Sequence, residues 1–588
     1  MAQSGDGGTV FEVGLVLAGA VSAGAYTGGV IDFLLEALEQ WESRRGQPGV
    51  PPHRVRIKVI SGTSAGAMTA TILASSLRTG VNPVRSLAPP AATDNKLYDS
   101  WVNQADIFPM LRNDDLDAAP RVQSLLNSKA VDAIADSAFG VRYAGRPWPA
   151  YVADPLDVYL CTTNLRGVPY SIQMIGAEGQ GYGMSMQADY MRFALSDSGS
   201  CPSDALPIEF RGGGNWDALK TAALASGAFP VGLSARVLRR KAEQYNQRPW
   251  YIPAPEQVDG VPVVVERETR IDPSWPDRVS RNPGAYEYQY ANVDGGVINN
   301  EPLEVARRAL AGPGGRNDRE PDKATRAVLM VDPFPNVVSL NPDYDAGAQI
   351  PILRALMGLA SAVLYQMRFK VEELELARDE GVFSRFVISP VRWVSTTGKL
   401  EDAKRAEFAL ASGALGGFGG FLSRGFRHHD YLLGRLNCQR FLQEHFVLDA
   451  SNHVFDGWDP EEKKKASRKQ TFTTRRSGRE ETQSIDAIPI IPLLGTAKEP
   501  AIPGGPLALV WPRGEGPDGD KLQQALMHRL CGLVDHFLSP AEISSGLLRR
   551  YLRLAWNVYR GIKWVLRDSP VQPALDAIKQ ELEKRGLE

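Results

Sequence analysis

The sequence predicts an α/β protein, a mostly parallel sheet with helices on both faces, followed by a mainly helical C-terminal region. Three observations predict it. A buried strand, a small-residue loop and an amphipathic helix open the chain. A second strand then turns sharply into a second helix through Gly62-Thr63-Ser64-Ala65-Gly66. Helical patterns dominate beyond about residue 345. Strands alternating with helices are the mark of a parallel sheet wound by crossovers.

The elements follow in order. Residues 11–17, "FEVGLVL", form an apolar run of strand length, and "GGVIDFLLEALEQWESRR" carries apolar residues at helical spacing. A Pro-Gly-rich linker leads to the β-branched, alternating strand at 55–61, and "AGAMTATILASSL" continues as a helix. The segment 83–155, rich in Pro, Asp and Trp, predicts loops and short helices. Further strands are expected at "DVYLCTT", "YSIQMIG", "YQYANVD" and "RAVLMVD". A long helix is expected over 350–382, helical patterns cover 400–447, and 520–588 is helical.

The organisation expected is a flexible tail at 1–10, a first domain at 11–345 and a helical region at 346–456. A flexible charged and proline-rich segment at 457–504 and a helical region at 505–588 complete it. The third boundary rests on "DPEEKKKASRKQTFTTRRSGREET", which is charged and poor in apolar residues.

Composition narrows the function. The chain has 588 residues, enough for two to four domains, with 43% hydrophobic and 23% charged residues. A net charge of −2 gives no argument for nucleic acid. Cys161, Cys201, Cys438 and Cys531 are scattered with no Cys-x-x-Cys pair, so neither a metal site nor a disulfide framework is indicated. "MAQSGDGGTV" lacks the basic and apolar regions of a signal peptide, and "ALMGLASAVLYQM" is shorter than a membrane span, so a cytoplasmic location is expected.

Gly62-Thr63-Ser64-Ala65-Gly66 stands where a strand turns into a helix, the context a nucleophile elbow requires. Gly62 and Gly66 would let the two backbones come close, and Ser64 would project at a helix N-terminus. Ser64 is either a nucleophile or an idle residue in a tight turn. The loop "LAGAVSAGAYTGGV" after the first strand offers Gly19, Ala20, Val21 and Gly24 as backbone donors to an oxyanion. It is neither a phosphate loop nor a dinucleotide fingerprint. Asp294, in "ANVDGGVINNEP", ends a strand before two glycines, and so is either a turn residue or a base.

The order of these motifs resembles the patatin-like phospholipase family. "GTSAG" is similar to its nucleophile motif and "DGGVINNEP" to its aspartate motif. "ASGAFPVGL" at 225–233 and the strand pair in "VYLCTTNLRGVPYSI" resemble the blocks between. The resemblance covers roughly 11–340, and "HDYLLGRLNCQRFLQEHF" at 429–446 is similar to the C-terminal part of larger bacterial members. It implies a three-layer fold and hydrolysis of lipid esters by a Ser64–Asp294 dyad, with no cofactor or metal. The family's loop reads Gly-Gly-Gly-x-Arg/Lys-Gly, where this chain has Gly19-Ala20-Val21-Ser22-Ala23-Gly24. Valine tolerates positive φ poorly, so the loop is not expected to copy a conformation that needs glycine there.

Two other readings stand beside this one. A Ser-His-Asp hydrolase would draw its base from His428 or His429, which follow Asp294 as that chain order requires. A lipid-binding scaffold on a retired hydrolase fold would need neither Ser64 nor Asp294. Finally, residues 547–567 predict an amphipathic helix. Leu548, Leu552, Ala555, Tyr559 and Ile562 recur at helical spacing, Arg549, Arg553, Arg560 and Arg567 line another face, and Trp556 and Trp564 lie nearby. Such a helix either packs on the core or makes peripheral contact with a membrane. The oligomeric state is not readable from the sequence.

Overall fold

A computed structural model describes residues 9–588 except 119, 140–144, 173–180, 211–213, 259–260, 313–316, 336–341, 343–344, 348–380, 477–478, 541, 544 and 566–568. The long helix expected over 350–382 lies almost wholly outside the described residues, as does the tail 1–8.

The strands in chain order are β1 (Val10–Leu17), β2 (Arg54–Thr63), β3 (Val152–Ile172), β4 (Tyr182–Leu195), β5 (Leu206–Ile208) and β6 (Arg236–Lys241). There follow a separate antiparallel ribbon β7–β8 (Pro249–Val258 and Val261–Arg270), β9 (Glu287–Asp294), β10 (Arg326–Val331) and β11 (Arg385–Ile388). Among the described residues nine strands form the central sheet, along the path β11-β10-β1-β2-β3-β4-β5, with β9 against β3 and β6 against β9. The first five are mutually parallel, as the sequence predicts.

Parallel strands covered on both faces bury side chains of both parities. On β1, Val13, Leu15 and Leu17 join the main core, while Val16 faces the helix Leu303–Ala311 with Ala306 and Leu310. The main core is covered by helix α1 (Gly24–Glu42), helix α2 (Ala65–Ser76) and the helix Arg424–Glu444. The backbone of α1 nearly touches that last helix. A Cβ on Gly29 would stand 1.9 Å from the Tyr431 carbonyl oxygen, and one on Gly434 would stand 2.2 Å from the Tyr26 oxygen. In the same seam the fully buried Arg435 reaches Asp32 at 2.9 Å and Glu36 at 2.7 Å.

Three expectations are corrected. "DVYLCTT" and "YSI" are not two strands but one, β3, whose register against β4 shifts between Thr163 and Val168. The described part of 346–456 is only partly helical. It contributes β11 to the central sheet, and 414–422 forms short turns because Gly416 and Gly417 take φ of 65° and 99°. Residues 457–504 are not an irregular segment. They form a helix, Pro460–Ala466, and a hairpin, Arg468–Arg476 with Arg479–Pro489, that pairs with Val447–Asp449. Charge obscured a period-two pattern there, which places Phe472, Ile485 and Ala487 in the main core. Apart from these, the helix Gly546–Val565 exposes an apolar stripe offset from the Leu548–Leu552–Tyr559 face that the sequence marks. Leu547, Tyr551, Leu554 and Val558 are exposed. Among the described residues no helix is long and apolar enough to cross a membrane.

Candidate active site

Pairing along one edge of β3 brings the two predicted residues together. β2 follows β3 as far as Thr63 opposite Cys161. The next residues of β3, Thr162–Asn164, pair instead with β9, Asp294 lying opposite Thr162. So the strand that delivers Ser64 and the strand that ends in Asp294 occupy successive places beside β3. Both stop at the C-terminal end of the parallel strands, where open α/β sheets bind ligands.

Ser64 itself has φ 53° and ψ −125°, a left-handed conformation that costs a non-glycine residue about 1–3 kcal/mol. Its surroundings hold it there. The Ser64 N–H donates to Ser226 Oγ at 2.8 Å, and the Ser226 hydroxyl donates to the Cys161 carbonyl at 2.6 Å. The Ser64 carbonyl accepts from the Met68 N–H in the first turn of α2. The glycines at the turn are there for space: a Cβ on Gly66 would lie 2.0 Å from the Leu17 carbonyl oxygen, and one on Gly62 2.8 Å from Ala67 Cα.

Ser64 Oγ donates to Asp294 Oδ2 at 2.6 Å. The other carboxylate oxygen of Asp294 accepts from the Gly296 N–H at 2.7 Å, its N–H donates to the Ala228 carbonyl, and its carbonyl accepts from Thr163 Oγ1. Burial pushes the Asp294 carboxyl up to about 6, against the hydrogen bonds from Ser64 and Gly296, which pull it down.

The loop 19–24 lies beside them. A Cβ on Gly19 would come within 3.2 Å of Ser64 Cβ and would collide with Asn300. The Gly19 N–H is already used by the Asn300 carbonyl, whereas those of Ala20 and Val21 find no acceptor among the described residues. Gly24 opens α1 against the ring of Trp101. The expectation that Val21 would refuse positive φ is wrong, for Val21 sits at φ 49°. A strained residue persists when its neighbours over-determine it, and here the clamp comes from the C-terminal half. The buried Ser22 hydroxyl donates to the Gly417 carbonyl and accepts from the Gly420 N–H at 3.0 Å. Ala23, where the family's basic residue would stand, is fully buried.

Ser64 and Asp294 line a cleft enclosing about 960 Å³, part of it open to solvent. Ser100 is the other polar side chain in its lining, and the walls include Met68, Trp101, Ile134, Phe229, Phe418 and Phe421. Phe418 packs edge-on against Phe229 with ring centroids 5.4 Å apart. Among the described residues no cluster of three or more His, Cys, Asp or Glu is placed to hold a metal ion.

The histidine alternative does not fit the geometry. His428 hydrogen-bonds Tyr98 through Nδ1 and the Leu87 carbonyl through Nε2, and burial pushes it down to about 4. His429 is spent on Asp430. Neither lines the cleft. The sequence reading overlooked four supports: Ser226, Asn300, Thr163 and the Phe418–Phe421 wall. Ser226 lies inside "ASGAFPVGL" and Asn300 inside "DGGVINNEP", but their short polar side chains look like ordinary turn residues.

The family model for patatin-like phospholipases matches residues 15–139, which run from the last residues of β1 through the loop 19–24, α1, β2, Ser64 and α2. The chain is also similar to the uncharacterized protein y4iI of Sinorhizobium fredii (strain NBRC 101917 / NGR234), 37% identical over 528 residues, which cover 83% of this chain and 71% of that protein. With the elbow serine, the aspartate beside it and the mostly parallel sheet that carries them, the chain belongs to the patatin-like phospholipase family, extended well beyond the matched segment.

Proposed function

We propose that the protein is a serine lipid acyl hydrolase that cleaves carboxylic esters of lipids through an acyl-enzyme. The observation that carries this reading is the 2.6 Å hydrogen bond from Ser64 Oγ to Asp294 Oδ2 in the lining of an apolar cleft. A hydroxyl is a weak nucleophile until an adjacent base takes its proton. Asp294, raised to about 6, is a better base than an ordinary carboxylate and is still ionised at neutral pH.

In the first half-reaction Ser64 Oγ attacks the ester carbonyl carbon and its proton passes to Asp294. The tetrahedral oxyanion is held by the uncommitted N–H groups of Ala20 and Val21. Collapse breaks the bond to the alcohol, which leaves with the proton from Asp294, and Ser64 keeps the acyl group. In the second half-reaction Asp294 takes a proton from water, the hydroxide adds to the acyl carbon, and Ser64 departs with that proton. The apolar walls suit an acyl chain, whose burial draws the substrate in.

A fluorophosphonate probe tests the assignment, with the adduct mapped by mass spectrometry. Labelling at Ser64, together with loss of lipid-ester hydrolysis in Ser64→Ala, is the expected result. A label on another serine, or hydrolysis that survives in Ser64→Ala, would overturn it.

A further inference from the structure

We infer that the helix Gly546–Val565 is a docking element for an anionic lipid surface. Leu547, Tyr551, Leu554 and Val558 follow one another at helical spacing along one stripe, 85%, 70%, 63% and 52% exposed, with Leu548 and Tyr559 flanking it. None of these six side chains belongs to a core cluster among the described residues. An apolar stripe of this length on a water-facing helix calls for a partner.

Charge selects the partner. Between Ile543 and Arg567 the sequence has six basic residues and no acidic one, although the chain as a whole carries a net charge of −2. Arg550 borders the stripe, Arg553 and Arg549 lie further round the helix, and the rings of Trp556 and Tyr559 stack 5.8 Å apart. An apolar face, a cationic face and aromatic residues are what a helix needs to lie in the plane of an anionic bilayer. A second copy of the helix is a poor fit, because Arg550 at the rim of each stripe would meet a basic helix that offers no carboxylate.

The position suits the task. The preceding helix, Gly519–Phe537, is bolted to the loop before Leu126, which lines the cleft. Arg529 pairs with Asp115 at 2.5 Å and donates to the Leu125 carbonyl at 2.8 Å, and Glu542 accepts from the Val122 N–H. A surface that holds the basic helix therefore holds a segment fastened to the wall of the cleft.

The test is flotation of the full-length protein with vesicles of phosphatidylcholine alone or mixed with phosphatidylglycerol. Vesicle binding is scored without turnover, so it succeeds or fails independently of the hydrolase reading. Binding to the mixed vesicles should be about tenfold tighter than to the neutral ones and should weaken in high salt. Leu554→Glu with Val558→Glu should weaken it by about tenfold or more, while folding and hydrolysis of a soluble short-chain ester persist. Arg549, Arg550 and Arg553 changed together to Gln should remove most of the preference for anionic vesicles. Equal binding by wild type and both variants would overturn the proposal. So would sedimentation showing that the wild type is a dimer and the Leu554/Val558 variant a monomer, which would make a second copy the occupant.

Discussion

In the proposed mechanism Ser64 and Asp294 act on one proton, so their losses should not add. Ser64→Ala, Asp294→Asn and the double variant are each expected to lose about 10⁴-fold or more in kcat and to reach a similar floor. His428→Gln should lose stability through its bonds to Tyr98 and Leu87 but keep most of its turnover per folded molecule. A histidine variant that folds normally and is silent would instead revive the triad. The carboxyl of Asp294 also fixes a pH dependence. As the proposed base it must be ionised, so kcat/KM should rise through about pH 6 and level off above it. The stability effect has the opposite sign. Because the folded pKa lies above the ordinary 3.8, the folded state holds the proton more tightly, and stability is lost as pH rises from about 4 through 6. Asp294→Asn should therefore raise the melting temperature at pH 8 by up to the equivalent of roughly 3 kcal/mol, and scarcely at pH 4. Thermal denaturation at the two pH values checks this.

At the scale of elements, the loop 19–24 and the segment 413–421 behave as one part. Ser22→Ala would leave the buried Gly420 N–H without its acceptor and free the turn at Val21. The expected signature is a fall in kcat of about tenfold to a hundredfold with KM little changed. Ala23→Arg, which restores the family's basic residue, should cost about 3 kcal/mol or more, because the position is fully buried and offers no room for a guanidinium. Phe418→Ala should raise KM for long acyl chains by about tenfold and leave short esters nearly unaffected, since it removes apolar wall rather than a reacting group. These elements also show what was legible beforehand. The strand–turn–helix around Ser64 was readable because each part carries its own local pattern. The clamp on Ser22 was not, because its two halves lie 395 residues apart and nothing local in "SGALGGFGG" announces the partner. Val21 misled for a related reason. Local propensity argued against positive φ, and a distant contact overrules it.

At the scale of the whole molecule, the segment matched by the family model is not a self-sufficient body. β11, from beyond residue 380, completes the parallel run of the sheet, and the helix Arg424–Glu444 covers α1. A chain ending at 345 should therefore fail to fold cooperatively, which circular dichroism and limited proteolysis would show. Arg435 gives a sharper test. It pairs with Asp32 and Glu36 in a site closed to water, so Arg435→Met leaves Asp32 buried without its cation, while Glu36 keeps Arg85, and should cost about 3–5 kcal/mol. The sequence showed an α/β start and helical ends, which is what local periodicity can carry. It did not show which late segments complete the early sheet, because strand order is set by long-range pairing.

The ion cluster in that seam has a bearing on descent. Tyr431 and Asp32 meet although 399 positions separate them, and Arg435 joins the same group. A genetic exchange that replaced the first forty residues with those of a relative lacking both carboxylates, and left the rest, would orphan a buried guanidinium. The two segments are thereby tied together, and a change at Asp32 costs least when Arg435 changes with it.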